Sequence, residues 1–234
     1  METRRVVMSV SVKSFFVFWL ILISTAVYCY KPVGEVQKKH RTLAEKVNLF
    51  KKVGCKYSDK VDVANPQHFQ SNPKKNEYYI SYKAMVDQDS KKYASAVKDK
   101  KNAKMYLQWI SDIVGYGVYA DQDIQPGDYI GEYTGVLRPI KENDNLDYAW
   151  YYTLDGPDGK SLVVDGKKQG NELRFINHAN DPNLKLVSVL GDDGAFHLAY
   201  VAQKGVPKGQ QLTVSYGSGY WECRGINPVN FSSL

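Results

Sequence analysis

RFINHANDPN, residues 174–183, decides more of the reading than any other ten residues of this 234-residue chain. Two apolar residues, Phe175 and Ile176, lead into it, and Pro182-Asn183 closes it with a turn signal. Between them runs a polar stretch that begins Asn177-His178. Alone, an Asn-His pair in such a stretch is more often a turn than a site, so the surroundings carry the argument. Upstream lie VGYGVYA (114–120), DIQPGDYIGEYTG (123–135) and LVVDGKKQGN (162–171); downstream lies VPKGQQLTVSY (206–216). From Met105 to Trp221, short β-rich runs (YLQWI, GVYA, DYIGEYTG, SLVVD, AFHLAYVA, QQLTVSY) are separated by Gly, Pro and Asp turns. That spacing predicts a β-dominated domain. The absence of a strand–helix rhythm argues against a Rossmann fold.

Taken in order, these segments resemble the SET-domain family of protein lysine methyltransferases. RFINHANDPN is very close to the family's R-F-I-N-H-S-x-x-P-N, VPKGQQLTVSY to its I-x-x-G-E-E-L-T-x-x-Y, and VGYGVYA to its opening Gly-x-Gly strand. The resemblance covers roughly half of the chain. It implies a mainly β, SET-type β-clip fold with a pseudoknot and short helices, preceded by a helical N-terminal flank. It also implies an enzyme that moves a methyl group from S-adenosylmethionine to a lysine of another protein, with histone or chromatin among the candidate substrates.

The family's site residues map onto this chain one by one. The resemblance assigns the cofactor to Gly115, Tyr116, Gly117, Arg174, Asn177, His178, Tyr216 and Trp221. Trp221 would cover the adenine side by stacking. The catalytic tyrosine falls on Tyr216, and Tyr133, in E-Y-T-G, would line the path of the lysine with Tyr148, Tyr151 and Tyr152 as further wall candidates. Two departures stand out. Ala179 replaces a usual Ser, and Gln211 a usual Glu. Many family members carry cysteine clusters that bind zinc on either side of the domain. Here the three cysteines, Cys29, Cys55 and Cys223, share no CxxC spacing, so no metal is expected and the closure after Tyr216 must be metal-free. Asn, His and Tyr by themselves have bland readings as turn and packing residues; the ordered set reverses those odds.

The chemistry fits these residue types. A lysine ammonium has an unperturbed pKa of about 10.4 and only on the order of 1 in 1,000 is neutral near pH 7. A narrow aromatic channel lowers that pKa by desolvation, and 18 tyrosines supply such walls. In the family, a phenol two residues before the catalytic tyrosine, or three after the P-N turn, limits the number of methyl groups added. Those positions are Val214 and Leu186 here, which predicts di- or trimethylated product unless Tyr200 or a tyrosine of residues 148–152 enters the same corner.

The rest of the chain divides by composition. Residues 1–30 place Arg4, Arg5 and Lys13 before the apolar run FFVFWLILISTAVYCY, the layout of a signal peptide or signal anchor, and are the only expected membrane contact. Residues 31–104 form a basic flank with helical spacing over 34–54 and 91–104, a loop over 65–76 and a candidate strand over 78–82. The domain spans 105–222, and 223–234 is a tail. Export and an intracellular methyl donor conflict; delivery into a host cell and a membrane-anchored enzyme facing the cytosol both reconcile them. The net charge of +6 suits an acidic partner, yet no Lys/Arg run is long enough for a dedicated nucleic-acid tail. A catalytically silent protein-binding module and a basic nucleic-acid-binding β protein are the competing functions.

Overall fold

The computed structural model describes residues 37–65, 73–156, 158–222 and 224–225. The expectations for residues 1–30, for most of the 65–76 loop and for most of the tail lie outside the described residues. Among the described residues no helix is long and apolar enough to cross a membrane.

The β-rich runs become three units, two antiparallel and one mixed. β3 (Met105–Ser111) and β4 (Gly115–Ala120) form a hairpin with a bulge between Trp109 and Ser111. β5 (Tyr129–Glu132), β11 (Leu184–Leu190) and β12 (Phe196–Ala202) form a sheet in the order β11-β12-β5. In it Leu186 stands directly opposite Tyr200. β2 (Asp62–Val63), β6 (Val136–Pro139), β7 (Ala149–Asp155) and β8 (Ser161–Asp165) form the third, in the order β2-β6-β8-β7. Alternation along these strands turns Val118, Ile130, Leu137, Leu162, Leu198 and Tyr200 into one buried cluster. Burial of such residues contributes roughly 1.5–3 kcal/mol each.

RFINHANDPN crosses the chain's C-terminal segment, as the resemblance implied. β10 (Asn177–His178) pairs in parallel with β13 (Thr213–Val214). On its other side the same segment is tied to β4: Leu212 N–H donates to Val118 O at 2.8 Å and Ala120 N–H to Gln210 O at 2.9 Å. Asn183 locks the crossing. Its Nδ2 donates to Gln211 O (2.8 Å), and its Oδ1 accepts from Thr213 N–H (2.9 Å).

The flank is woven into this frame. α1 (Leu43–Lys52) starts at a capping box in which Thr42 and Glu45 satisfy each other's backbone N–H, and it buries Leu49 and Phe50. β1 (Lys56–Tyr57) pairs with β9 (Gln169–Gly170), and β2 with β6. Lys46 of α1 reaches Glu172 at 2.6 Å in a buried ion pair, and Tyr57 donates to the same carboxylate at 2.9 Å. Glu172 opens the 3-10 turn Glu172–Phe175 that leads into β10, so the flank braces the crossing. α3 (Lys83–Lys98) lays Tyr93 and Val97 on Val187, Val189, Ala199 and Val201; it begins and ends earlier than the 91–104 span expected.

One expectation is overturned. EYYISY is not a strand but the helix α2 (Glu77–Ser81). Asn76 caps it by accepting from Tyr78 N–H at 2.8 Å, and a capped turn outweighs the β-propensity of Tyr and Ile. Tyr79 is buried while Ile80 is 64% exposed, and Tyr78 packs on Tyr82 one turn later at 4.9 Å.

Candidate active site

The crossing of β10 and β13 delivers Tyr216 to the centre of two groups of residues. Its backbone N–H donates to His178 Nδ1 at 3.1 Å. That assigns the neutral imidazole's proton to Nε2, which donates to Asn180 Oδ1 at 3.1 Å. The Tyr216 phenol donates to Ile176 O at 2.9 Å. Burial pushes its pKa far above the ordinary phenol value, with Tyr220, Tyr148 and Asp147 adding in the same direction. The hydroxyl is therefore protonated, fixed, and unsuited to act as a phenolate base.

On one side of Tyr216 lies the cofactor candidate group. The His178 ring stands 4.9 Å from Trp221, and Tyr216 stacks on Trp221 at 6.1 Å and 19°. Asn177 Nδ2 donates to Tyr116 O at 3.2 Å, which joins the knot to the β3–β4 hairpin. Gly115 takes φ +80, a backbone conformation that a Cβ disfavours. Gly117 is instead approached closely by three side-chain ends. A Cβ there would lie 2.7 Å from Ile110 Cδ1, 2.9 Å from Gln211 Nε2 and 3.3 Å from Asn177 Nδ2. The Tyr116 side chain is buried against Trp109 and Phe175 at 5.0 and 5.7 Å. Two buried donors here, Trp221 Nε1 and Gln211 Nε2, have no hydrogen-bond partner among the described residues.

On the other side is a cavity of about 680 Å³ whose walls include Tyr133, Tyr148, Trp150, Tyr200 and Tyr216. Tyr133 is 2% exposed, donates to Tyr148 O at 2.5 Å and is held neutral by burial. Arg174 also lines this cavity. Its Nε donates to Gly166 O (2.7 Å), its Nη2 to Lys167 O (3.2 Å), and its guanidinium lies 3.9 Å over the Tyr148 ring. Of the other expected wall residues, Tyr148 and Tyr151 line the cavity. Tyr152 points elsewhere, its phenol oxygen accepting from Phe196 N–H. Val214 and Leu186 are not among the lining residues. Trp150, at 6.4 Å from the Tyr216 ring, is the wall residue that motif reading did not single out; its place next to Tyr151 on an aromatic strand was the available signal.

The closure after Tyr216 is built from aromatic rings and a charge pair. α4 (Ser218–Glu222) brings Tyr220 and Trp221 onto Tyr216. Arg224 lies 3.7 Å over Tyr220 and donates to Asp147 at 2.6 Å across the cavity mouth. Burial opposes the Asp147 charge, but Arg224 and Asn145 outweigh it and hold the carboxyl below its usual range. Among the described residues no group of three His, Cys, Asp or Glu could hold a metal ion.

The SET-domain family matches this chain over residues 115–217, from the first glycine of the hairpin to the residue after Tyr216. This region resembles a SET domain. Histone-lysine N-methyltransferase EHMT1 of Homo sapiens is 34% identical over 133 residues, 55% of this chain and 10% of that protein. The H3 lysine-9 specific histone-lysine N-methyltransferase dim-5 of Neurospora crassa is 32% identical over 127 residues, 45% of this chain and 38% of the relative. The chain thus spans about a tenth of the human relative and little over a third of the fungal one. Its fold is also that of ATXR5, solved in complex with a mono-methylated histone H3.1, with a TM-score of 0.56 at 20% identity over 82% of this chain and 93% of the other. That likeness reaches beyond the SET domain into the flank.

Proposed function

We propose that this chain transfers a methyl group from S-adenosylmethionine to a lysine side chain of a protein, with histones as the first substrate class. The observation that carries the reading is the double anchoring of Tyr216: its N–H on His178 Nδ1 and its phenol on Ile176 O, at the junction between the Trp221 group and the aromatic cavity. The names of the human and fungal relatives support the same chemistry.

The residues present fit the cofactor. Gly115 and the Tyr116 backbone, Asn177, His178 and Trp221 would hold it, and the two orphaned buried donors, Trp221 Nε1 and Gln211 Nε2, await acceptors of the kind an amino acid and a nucleoside offer. When bound, S-adenosylmethionine supplies an electrophilic methyl on a sulfonium sulfur. The chain's own residues do the rest. Tyr133, Tyr148 and Trp150 strip water from the lysine stem and lower the ammonium pKa. The open cavity passes its proton to solvent. Tyr216, fixed and neutral, offers its oxygen to orient the amine for in-line attack. Arg174 acts through Tyr148, as a positioning residue.

The test is incubation of the recombinant protein with core histones and methyl-labelled S-adenosylmethionine, read by mass spectrometry. Label on lysine supports the reading. Calorimetric cofactor binding with no label on any histone or lysate protein would instead favour a silent binding module.

A further inference from the structure

Exposed lysines gather where the end of α1 meets β1 and β9. Lys51 and Lys52 stand in the last turn of α1, Lys56 in β1, and Lys167 and Lys168 in the loop before β9. Short contacts tie these segments together: Lys56 N–H donates to Lys168 O at 2.9 Å, and Cys55 Sγ lies 3.9 Å from Gly166 O. The loop is itself pinned. Lys167 N–H donates to Asp165 Oδ1 at 2.8 Å, and Lys167 O accepts from Arg174 Nη2 at 3.2 Å. The surrounding carboxylates are already engaged: Asp165 by Arg138, Glu172 by Lys46, Asp59 by Lys100 and Asp147 by Arg224. Among the described residues Lys51, Lys56, Lys167 and Lys168 form no ion pair. Lys51 and Lys52 suit the negative end of the α1 dipole; the other three have no such local duty.

This face adjoins the cavity. Gly166 N–H donates to Tyr148 O at 2.7 Å, Tyr148 lines the cavity, and the Lys167 charge acts on Asp147 at its mouth. A fixed surplus of positive charge without local partners fits a polyanion. We infer that Lys51, Lys52, Lys56, Lys167 and Lys168 form a face that grips the phosphate backbone of duplex DNA beside the cavity, and so presents the cavity to histones that carry DNA. Ammonium groups are point charges without the planar fork that reads base edges, and the face contains no arginine, so the grip is independent of sequence. A single strand would need an open ring on which to stack its bases. Tyr57, the ring of β1, is committed to Glu172 at 2.9 Å and to Phe50 at 5.1 Å. Duplex DNA is also the polyanion that accompanies histones, the substrate class proposed above. The DNA contact stands by itself; the preference for DNA-bearing histones rests on the methyltransferase reading.

The experiment titrates the full chain into a short fluorescent DNA duplex of random sequence, by anisotropy, over a series of salt concentrations. Each phosphate contact adds about 0.9 to the slope of log affinity against log salt. Combining Lys56→Gln, Lys167→Gln and Lys168→Gln should weaken binding at least tenfold and lower that slope by roughly 2–3. The control combines Lys91→Gln, Lys92→Gln and Lys185→Gln, which removes equal charge from exposed positions of α3 and β11; it should keep nearly parental binding. Where the triple variant folds poorly, Lys167→Gln alone should lower the slope by about 1. Equal losses in both triple variants would mean that net charge alone attracts DNA, and would overturn the inference. So would tighter binding to single-stranded RNA or to phosphatidylserine vesicles than to the duplex. A second arm compares methyl transfer to free histone octamers and to octamers wrapped in DNA. The parent should favour the wrapped form, and the patch variant should lose that preference while keeping its rate on free octamers. A preference that persists in the variant overturns the presenting role. A parent that binds the duplex through these lysines but methylates neither form removes the methyltransferase reading and leaves the DNA contact standing.

Discussion

Removing the Asn183 side chain should loosen the crossing on which both halves of the site depend. In Asn183→Ala the Gln211 carbonyl loses its donor at 2.8 Å and the Thr213 N–H its acceptor at 2.9 Å. Asn183 is 7% exposed and Thr213 3%, so water reaches neither group freely. A stranded buried partner costs about 1–3 kcal/mol. Two of them give about 2–6 kcal/mol, less whatever water recovers. For a chain of this size each kcal/mol lowers the melting temperature by about 2–4 °C, which predicts a fall of about 4–24 °C, the upper end being reached only if water recovers nothing. Cofactor affinity should drop in parallel, because Asn177 and His178 take their places by pairing with Thr213 and Val214. Asn183→Asp should do no better, since a carboxylate oxygen would then face the Gln211 carbonyl. The assay is urea unfolding followed by tryptophan fluorescence, with calorimetry of cofactor binding on the same preparations. A loss below 0.5 kcal/mol with unchanged affinity would refute the claim that Asn183 locks the knot.

Two further outcomes follow from the geometry. Asn177→Ala and His178→Ala should each weaken S-adenosylmethionine binding at least tenfold while the protein stays folded; calorimetry giving the parental affinity in both would move the cofactor elsewhere. His197 predicts a pH dependence. Burial opposes its charge, but Glu132 at 2.6 Å and Asp193 at 3.2 Å outweigh it and raise its pKa from 6.5 to about 9. A raised histidine pKa stabilises the fold fully below the unfolded value near 6.5 and less and less as pH climbs through about 9. The difference corresponds to roughly 3 kcal/mol. Denaturation midpoints should therefore decline between pH 6.5 and 9.5 in the parent and stay flatter in His197→Gln; equal slopes in both would remove the assignment.

The domain and its knot were legible because backbone rules dictate the motif residues. Gly115 sits at positive φ, Asn183 answers two backbone groups, and His178 takes an N–H from two residues past β13. These ties became legible through the ordered resemblance, since alone an Asn-His pair reads as a turn. The flank was harder. The strand expected at 78–82 lost to one side-chain cap at Asn76, a local contact that aromatic composition conceals. The brace from Lys46 to Glu172 spans 126 positions, and nothing in either neighbourhood announces the other. Arg174 shows the same limit inside the motif. Its place in RFINHANDPN suggested the cofactor, and nothing in the motif announces that its guanidinium also lies over Tyr148 and donates to the carbonyls of Gly166 and Lys167. The cavity wall at Trp150 and Tyr200 was invisible as a pair because the Nε1–OH contact joins β7 to β12.

The central claim is that Tyr216 stands between the cofactor and the lysine and acts through its hydroxyl. The most direct measurement compares parent and Tyr216→Phe for methyl transfer to core histones, with calorimetry of S-adenosylmethionine binding alongside. The account predicts a loss of one to several orders of magnitude in rate, a tenfold loss being about 1.4 kcal/mol of transition-state stabilisation, with cofactor affinity nearly unchanged because the His178 contact uses the backbone N–H. Transfer at the parental rate by Tyr216→Phe would contradict it.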